Sequence, residues 1–561
     1  MQTAFSLRKL PLLALTLSSW ATAQVSPLPP APDAGQVLRD VQPAPLFSAP
    51  PTTPLHRPAS QAEAQAKDEA TVRVQSITFS GNRELSTAEL QPLVANLIGA
   101  EQSLSQLNAA AQRITEHYRE RGYLVARAYL PAQDITDGAV TIGIIEGRVA
   151  SLKINNQSRL SDAQAQAYLG QVGAAGEVIQ SQQLNRGLLL LQDTPGVGGA
   201  RAALQPGASV GTSDLLVELD PARAYAASVE ADNQGGRATG QNRLGASLAL
   251  NSPLGRGDLL NLRALSSGPN LSYARLAYQM PLGVSGLKLG AAYADTRYQL
   301  GAEFAALKAH GSASSRSVYA SYPFVRRQDA NLSGTLTLED KQLLDQTDAS
   351  LSRVDKQVKL LSLGLAGNRQ DAWGGGGQMV FELSLASGRL GMDATSAALD
   401  ATSSQSQGEF SKLSYTLTRL QSLSEENSLL LSLNGQRANK NLNSSEKFSL
   451  GGASGVRAYP QGEGSGDQGW LFSTELRRQL TQQLQGVLFF DAGSVVVNHS
   501  PFAAGDNSRT VSGLGLGLNG QWGRLQFKTA LAWPTVGGDA RSEPVGASRS
   551  PRLWVQLSSA L

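Results

Sequence analysis

The chain has no cysteine and only four histidines, and no internal segment is apolar for the roughly 20 residues that a membrane-spanning helix requires. Without cysteine there are no disulfides and no thiolate chemistry. The histidines, His56, His117, His310 and His499, are scattered and lack metal-ligand spacing. No nucleophile elbow or phosphate loop of the usual spacing occurs, so the sequence offers no catalytic residue, no cofactor site and no metal site. Gly374–Gly377 resembles a phosphate loop in composition only and reads as a flexible turn. Charge is also scarce: 17% of residues are charged, against about 25% in average soluble domains. With a net charge of only +3 over 561 residues, nucleic acid is not an expected partner.

Glycine is abundant, at 57 residues. A membrane β-barrel explains both the glycine and the low charge, because its lipid face excludes charge and its tight turns and close-packed strands favour glycine. Residues 1–23 carry the order of a secretory signal peptide: Arg8 and Lys9, the apolar run Leu10–Leu17, then Ala21-Thr22-Ala23. Residues 24–71 read as a linker whose stretch Gln24–Arg57 is rich in Pro and Ala and cannot form a core, but Asp33–Val41 could form a short helix with Asp33 as its N-cap.

Over residues 72–221 a β-α-α-β-β order occurs twice, at 72–148 and 149–221. The first unit is expected to contain a strand at Val72–Phe79, helices at Thr87–Ile98 and Leu104–Arg121, and strands near Leu124–Leu130 and Ala139–Glu146. The second repeats it with Ala150–Ile154, Asp162–Gly170, Ser181–Gln192, Ala200–Gln205 and Ser213–Leu219. Small α+β modules with open sheet edges suit binding rather than catalysis.

From residue 222 to 561, alternation replaces helical periodicity, and sixteen segments read as antiparallel strands of a membrane barrel. Each is about as long as a tilted membrane strand, near 9–11 residues or slightly less. If the first rises from the periplasm, Asn441–Gln468 is an external loop and Arg256-Gly257-Asp258, which spells an adhesion tripeptide, lies in a periplasmic turn. Gly391–Glu409 and Pro534–Pro551 read as long polar loops. Within the external loop, Val456-Arg457-Ala458-Tyr459 follows a Gly-rich stretch. In a later strand Phe489, Asp491 and Gly493 share one face. A carboxylate facing lipid is costly, so Asp491 should face the lumen, where an inward-folded loop bearing Arg457 could neutralise it.

The combination resembles the transporter half of two-partner secretion systems, the haemolysin and filamentous-haemagglutinin exporters, within the superfamily of POTRA-bearing barrels. Its carriers are Gly122-Tyr123, Leu130-Pro131, Gln133, Gly138 and Glu146-Gly147 in the first module, and Asp232-Asn233-Gln234-Gly235, Arg243 and Pro253–Asp258 where the barrel begins. The loop and strand motifs around Arg457 and Asp491 complete the set. The resemblance implies two POTRA domains, a sixteen-stranded outer-membrane barrel and a plug helix at Asp33–Val41. It also implies a loop tip locked by Arg457 on Asp491, an unfolded secreted partner received in the periplasm, and insertion by the barrel-assembly machinery among outer-membrane lipid. Two departures stand out. Ala458 replaces the family's usual Gly, which would be strained at positive φ, and Leu561 stands where an aromatic is common. The alternatives are a barrel-assembly insertase, a passive porin, which leaves some 150 residues unexplained, and an adhesive surface protein.

Overall fold

The computed structural model describes residues 29–42, 71–135 and 137–561. The expected leader at 1–23 and most of the Pro-rich stretch lie outside the described residues.

The described residues form a closed antiparallel barrel of sixteen strands, preceded by two small mixed sheets, one two-stranded pair and, ahead of them, one short helix. The helix, Ala34–Val41, is capped as its sequence suggests: the Asp33 carboxylate accepts from the Gln36 backbone N–H at 3.0 Å. In the first module, Ser76–Ser80 runs parallel to Ala139–Ile145, which pairs antiparallel with Arg127–Tyr129. In the second, Arg148–Asn156 runs parallel to Thr212–Pro221, which pairs antiparallel with Val197–Pro206. The two sheets therefore share a topology, and each has its own apolar core beneath its helices.

Two expectations for the first module need correction. The stretch Val72–Phe79 is two strands, because Val74 turns inward to the core and the backbone breaks at Val74–Gln75; Thr71–Arg73 pairs instead with Glu101–Ser103. The helix expected over Thr87–Ile98 is one α-turn, Thr87–Leu90, followed by two 3₁₀ turns. Pro92 has no N–H to continue the ladder and sits where only a new turn can start. The next helix, Leu104–Glu120, forms behind a capping box of Ser103 and Gln106.

The barrel begins at Tyr225–Asp232 and ends at Arg552–Ala560, and each expected segment overlaps an observed strand. The strands on one side are longer than expected: the sixth to the eighth, Ala309–Arg326, Ala330–Thr347 and Ser352–Asp371, run 18, 18 and 20 residues and carry the wall beyond the bilayer. Their polar outer ends lack the apolar alternation that marks the membrane portion. Residues 391–409 also differ from the plain loop expected: they hold a helix, Ala394–Ala401, capped by Asp393.

The seam between the last and first strands is short. Gln556–Ala560 pairs with Ser228–Asp232 over five residues, against eight between the first two strands, Tyr225–Asp232 and Arg243–Asn251. Beyond those five, the Asn233 side-chain amide continues the ladder, donating to Leu553 O at 2.9 Å and accepting from Val555 N at 2.8 Å. The second module rests on the turns at the barrel's near end. Ser161 N donates to Gly255 O at 2.8 Å, and Arg326 bonds the Asp193 carboxylate. This contact closes over Arg256-Gly257-Asp258, whose Asp258 is fully buried and accepts from Tyr278 Oη.

Candidate functional site

The lumen is filled from within. The connection between the eleventh and twelfth strands, Asn427–Ala438 and Gln468–Thr481, folds back into the barrel instead of standing out in solvent. Its tip meets the thirteenth strand, Leu484–Val496, where alternation sorts the side chains. Phe489 and Asp491 are buried inward, whereas Leu488 and Phe490 are exposed outward.

Arg457 joins the tip to the wall. Its Nε and Nη2 lie 2.8 Å from the two oxygens of Asp491, a bidentate fork, and its backbone N–H adds a third bond to that carboxylate at 3.1 Å. Nη1 donates to Glu475 at 2.7 Å, and Ser473 Oγ donates to Asp491 at 2.7 Å. Ser473 and Glu475 are register partners of Asp491 and Phe489, so one cross-strand row supplies the whole cradle. The guanidinium also stacks 3.5 Å over the Phe489 ring. One cation thus answers two carboxylates, with Arg477 sharing Glu475 at 2.6 Å.

The remaining motif residues fix the tip's position. Trp554, on the sixteenth strand, donates from Nε1 to the Arg457 carbonyl at 2.7 Å. The Tyr459 hydroxyl lies 2.8 Å from Val536 O and 2.9 Å from Gly538 O. Val456 is fully buried in the same cluster, and Gly493 leaves room for Leu450, which a Cβ would meet at 2.6 Å. Ala458 is not among the described residues with positive φ, so the strain expected of an alanine there is absent. Its methyl fits because Gly513 faces it; a Cβ on Gly513 would lie 2.4 Å from that of Ala458.

A second layer holds the flanks of the loop. Glu446 is buried between Lys341 and Lys412, at 2.7 and 2.8 Å. Burial acts to raise the Glu446 carboxyl, but the two ammonium groups outweigh it and hold its pKa at about 2. Glu463 accepts from Arg509 at 2.7 Å and from Ser542. Asp467 pairs with Lys447 at 3.0 Å.

The helix Ala34–Val41 completes the filling. Its apolar side joins Tyr298, Leu343, Val358 and Leu390 of the wall, and its polar side meets the loop. Arg39 donates to Ser444 O and Lys447 O, and Gln461 donates to Asp40 at 3.0 Å. Lys356 reaches Asp33 at 3.3 Å, and Ala34 N donates to Asp345 at 2.7 Å. Gly35 permits the close approach, since a Cβ there would lie 2.6 Å from Ser445 N. Burial raises the Asp40 carboxyl despite Arg39, while Lys356 and Ser444 lower Asp33 against its own burial.

Sequence reasoning named Arg457 and Asp491 but missed Glu475, Trp554, Glu446 and Gly513. Glu475 was within reach, being a carboxylate on a membrane strand; the others become meaningful only once register is known. Among the described residues, no group of His, Asp or Glu is arranged to hold a metal ion.

The family model described as "Haemolysin secretion/activation protein ShlB/FhaC/HecB" matches residues 211–520, and a ShlB-type POTRA domain matches 72–147. The chain is 32% identical over 475 residues to the heme/hemopexin transporter protein HuxB of Haemophilus influenzae, covering 82% of this chain and 83% of that one. It is 24% identical over 477 residues to the outer membrane transporter CdiB of Dickeya dadantii, covering 82% of each. The solved structure of CdiB from Escherichia coli superposes with a TM-score of 0.71 at 22% identity, over 94% of this chain and 96% of the other.

Proposed function

Because this chain belongs to the haemolysin secretion/activation family of two-partner outer-membrane transporters, we propose that it exports its partner polypeptide through a lumen that the Arg457–Asp491 fork keeps shut until cargo arrives. It is a POTRA-bearing outer-membrane transporter with its N-terminal modules in the periplasm. The partner is a secreted exoprotein. Likeness to HuxB makes a haem- or haemopexin-handling protein the first cargo to test.

In this reading residues 72–148 and 149–221 act as separate cargo-receiving domains and 222–561 as the conduit, a division supported by their separate apolar cores. Each module leaves an edge strand open, Ser76–Ser80 in the first and Val197–Pro206 in the second, whereas Thr115 caps Ala128 on Arg127–Tyr129 and residues 176–179 cover the start of Arg148–Asn156. An unfolded chain can add to such edges through its backbone, without sequence specificity. Cargo then displaces the helix Ala34–Val41 and the loop tip. Transport needs no catalytic step, and folding of the cargo outside gives it direction. The barrel-assembly machinery places the chain among the outer-membrane lipids.

The observation that carries the reading is the buried fork of Arg457 on Asp491 within a closed lumen. Arg457→Ala and Asp491→Ala should each lower the amount of partner in the medium at least tenfold, with the barrel still inserted and heat-modifiable. Arg457→Lys, a point charge without the fork, should restore only part. Normal export by both alanine variants would remove the proposed role.

A further inference from the structure

The outer face of the long-stranded side carries a feature that export does not use. The fifth strand, Lys288–Gln299, is followed by the sixth to eighth, then the ninth and tenth, Gly377–Met392 and Gly408–Ser422. One cross-strand row reads Arg316, Asp340, Lys359, Arg389 and Glu409 in direct register. Alternation places this row outward, because the neighbouring Ser315, Lys341, Val358, Leu390 and Phe410 are buried inward. The row lies on the external side, and the positions below it on the same face are apolar, among them Val318, Leu338, Leu361 and Leu385. It therefore marks the outer edge of the membrane band.

The row sets three cations beside two carboxylates, Asp340 and Glu409, yet no close ion pair forms within it. Arg316, Lys359 and Arg389 form no ion pair with any described residue, and Asp340 is taken by the Gln357 amide at 2.9 and 3.1 Å. Lys359 and Arg389 face each other across the ladder, an arrangement of like charges that costs stability unless an anion lies between them. The row borders a cleft of about 720 Å³. Lower on the same face lies an apolar groove of about 490 Å³ walled by Tyr322, Phe324, Leu336, Leu363 and Leu365, with the Phe324 ring packed over Gly334.

Cations above an acyl-sized groove, at the outer edge of a bilayer, match one class of molecule. We propose that strands six to nine hold a phosphorylated, multi-acylated glycolipid of the external leaflet, of the lipid A type. Its phosphates meet Arg316, Lys359 and Arg389, and an acyl chain lies in the groove along Leu336, Leu363 and Leu365. The site rests on the outer-membrane placement, and it sits on the outward face, away from the Arg457 fork.

The test uses the full chain purified in detergent, stripped of lipid, and exposed to bis-phosphorylated lipid A, to the same lipid without phosphates, or to phosphatidylglycerol. Native mass spectrometry reads the lipid retained. Wild type should retain about one lipid A per chain, and removing the phosphates should weaken retention about tenfold or more. The triple variant Arg316→Ala, Lys359→Ala, Arg389→Ala should lose the same factor, whereas Arg297→Ala, whose side chain is paired with Asp295, should not. Equal retention by the triple variant overturns the site, as does equal retention of dephosphorylated lipid or of phosphatidylglycerol by wild type. The two wild-type comparisons decide the matter even if the triple variant fails to fold. Fractionation separates the two readings: a chain absent from the outer membrane removes the placement, whereas a chain present there with indiscriminate lipid retention removes only this site.

Discussion

At the scale of single residues, the lumen is organised by charges that are buried but answered. Arg457 shows how much of that was legible. An arginine in a Gly-rich loop and an aspartate on a barrel strand could be matched by the cost of facing lipid, but the cradle around them could not. Glu475 and Ser473 join the site because register sets them opposite Phe489 and Asp491, and that register depends on the turn joining the two strands, which alternation alone does not reveal. Glu446 gives the sharpest residue-level prediction. Replacing it with glutamine takes from Lys412 its carboxylate and leaves Lys341 with only Glu339, at 3.4 Å. Loss of one partner from such a buried group costs about 3–5 kcal/mol. The variant should therefore unfold at a lower temperature in detergent, read by loss of its fast-migrating form on gels. The sign of the pH effect follows from the lowered carboxyl. The stabilising contribution of Glu446 is complete above about 4.5, its ordinary value, and fades as pH falls toward about 2.

At the scale of elements, the strands were easier to read than the helices. Membrane strands alternate because one face meets lipid, so their apolar portions were visible, while their polar extensions above the bilayer were not. Pro92 divides the first module's opening helix, a local rule that periodicity alone overrode. The helix Ala34–Val41 was legible through its cap, but its seat was not, because that seat is assembled from strands three hundred residues downstream. Gly35→Val should expel this helix, since a branched side chain collides with the backbone at Ser445. The ionic current through the barrel in planar bilayers should rise severalfold. The two carboxylates flanking the helix should act oppositely. Asp33 is held low, so seating gains from its charge and weakens in acid; Asp40 is held high, so seating improves as its proton is taken up. Asp33→Asn should therefore raise the current at neutral pH, and Asp40→Asn should lower it. Unchanged current in both would mean that the helix does not block conduction.

For the whole molecule, the order of parts was readable because each part has its own period: proline-rich, then mixed, then alternating. How the parts meet was not. The rest of the second module on the barrel's turns depends on Ser161, Asp193 and Arg326, ordinary surface residues by sequence. The return of the external loop into the lumen, which the motifs around Arg457 and Asp491 anticipate, makes the barrel a filled body rather than a pipe.

The short seam has a consequence in time as well as in space. Asn233 meets Leu553 across 320 positions of chain, so the ring cannot close while any of the intervening strands is still missing. Every earlier intermediate exposes two unpaired strand edges, the form most prone to pair with a neighbour. The wall is therefore complete only when all sixteen strands are paired, and until then its edges stand open.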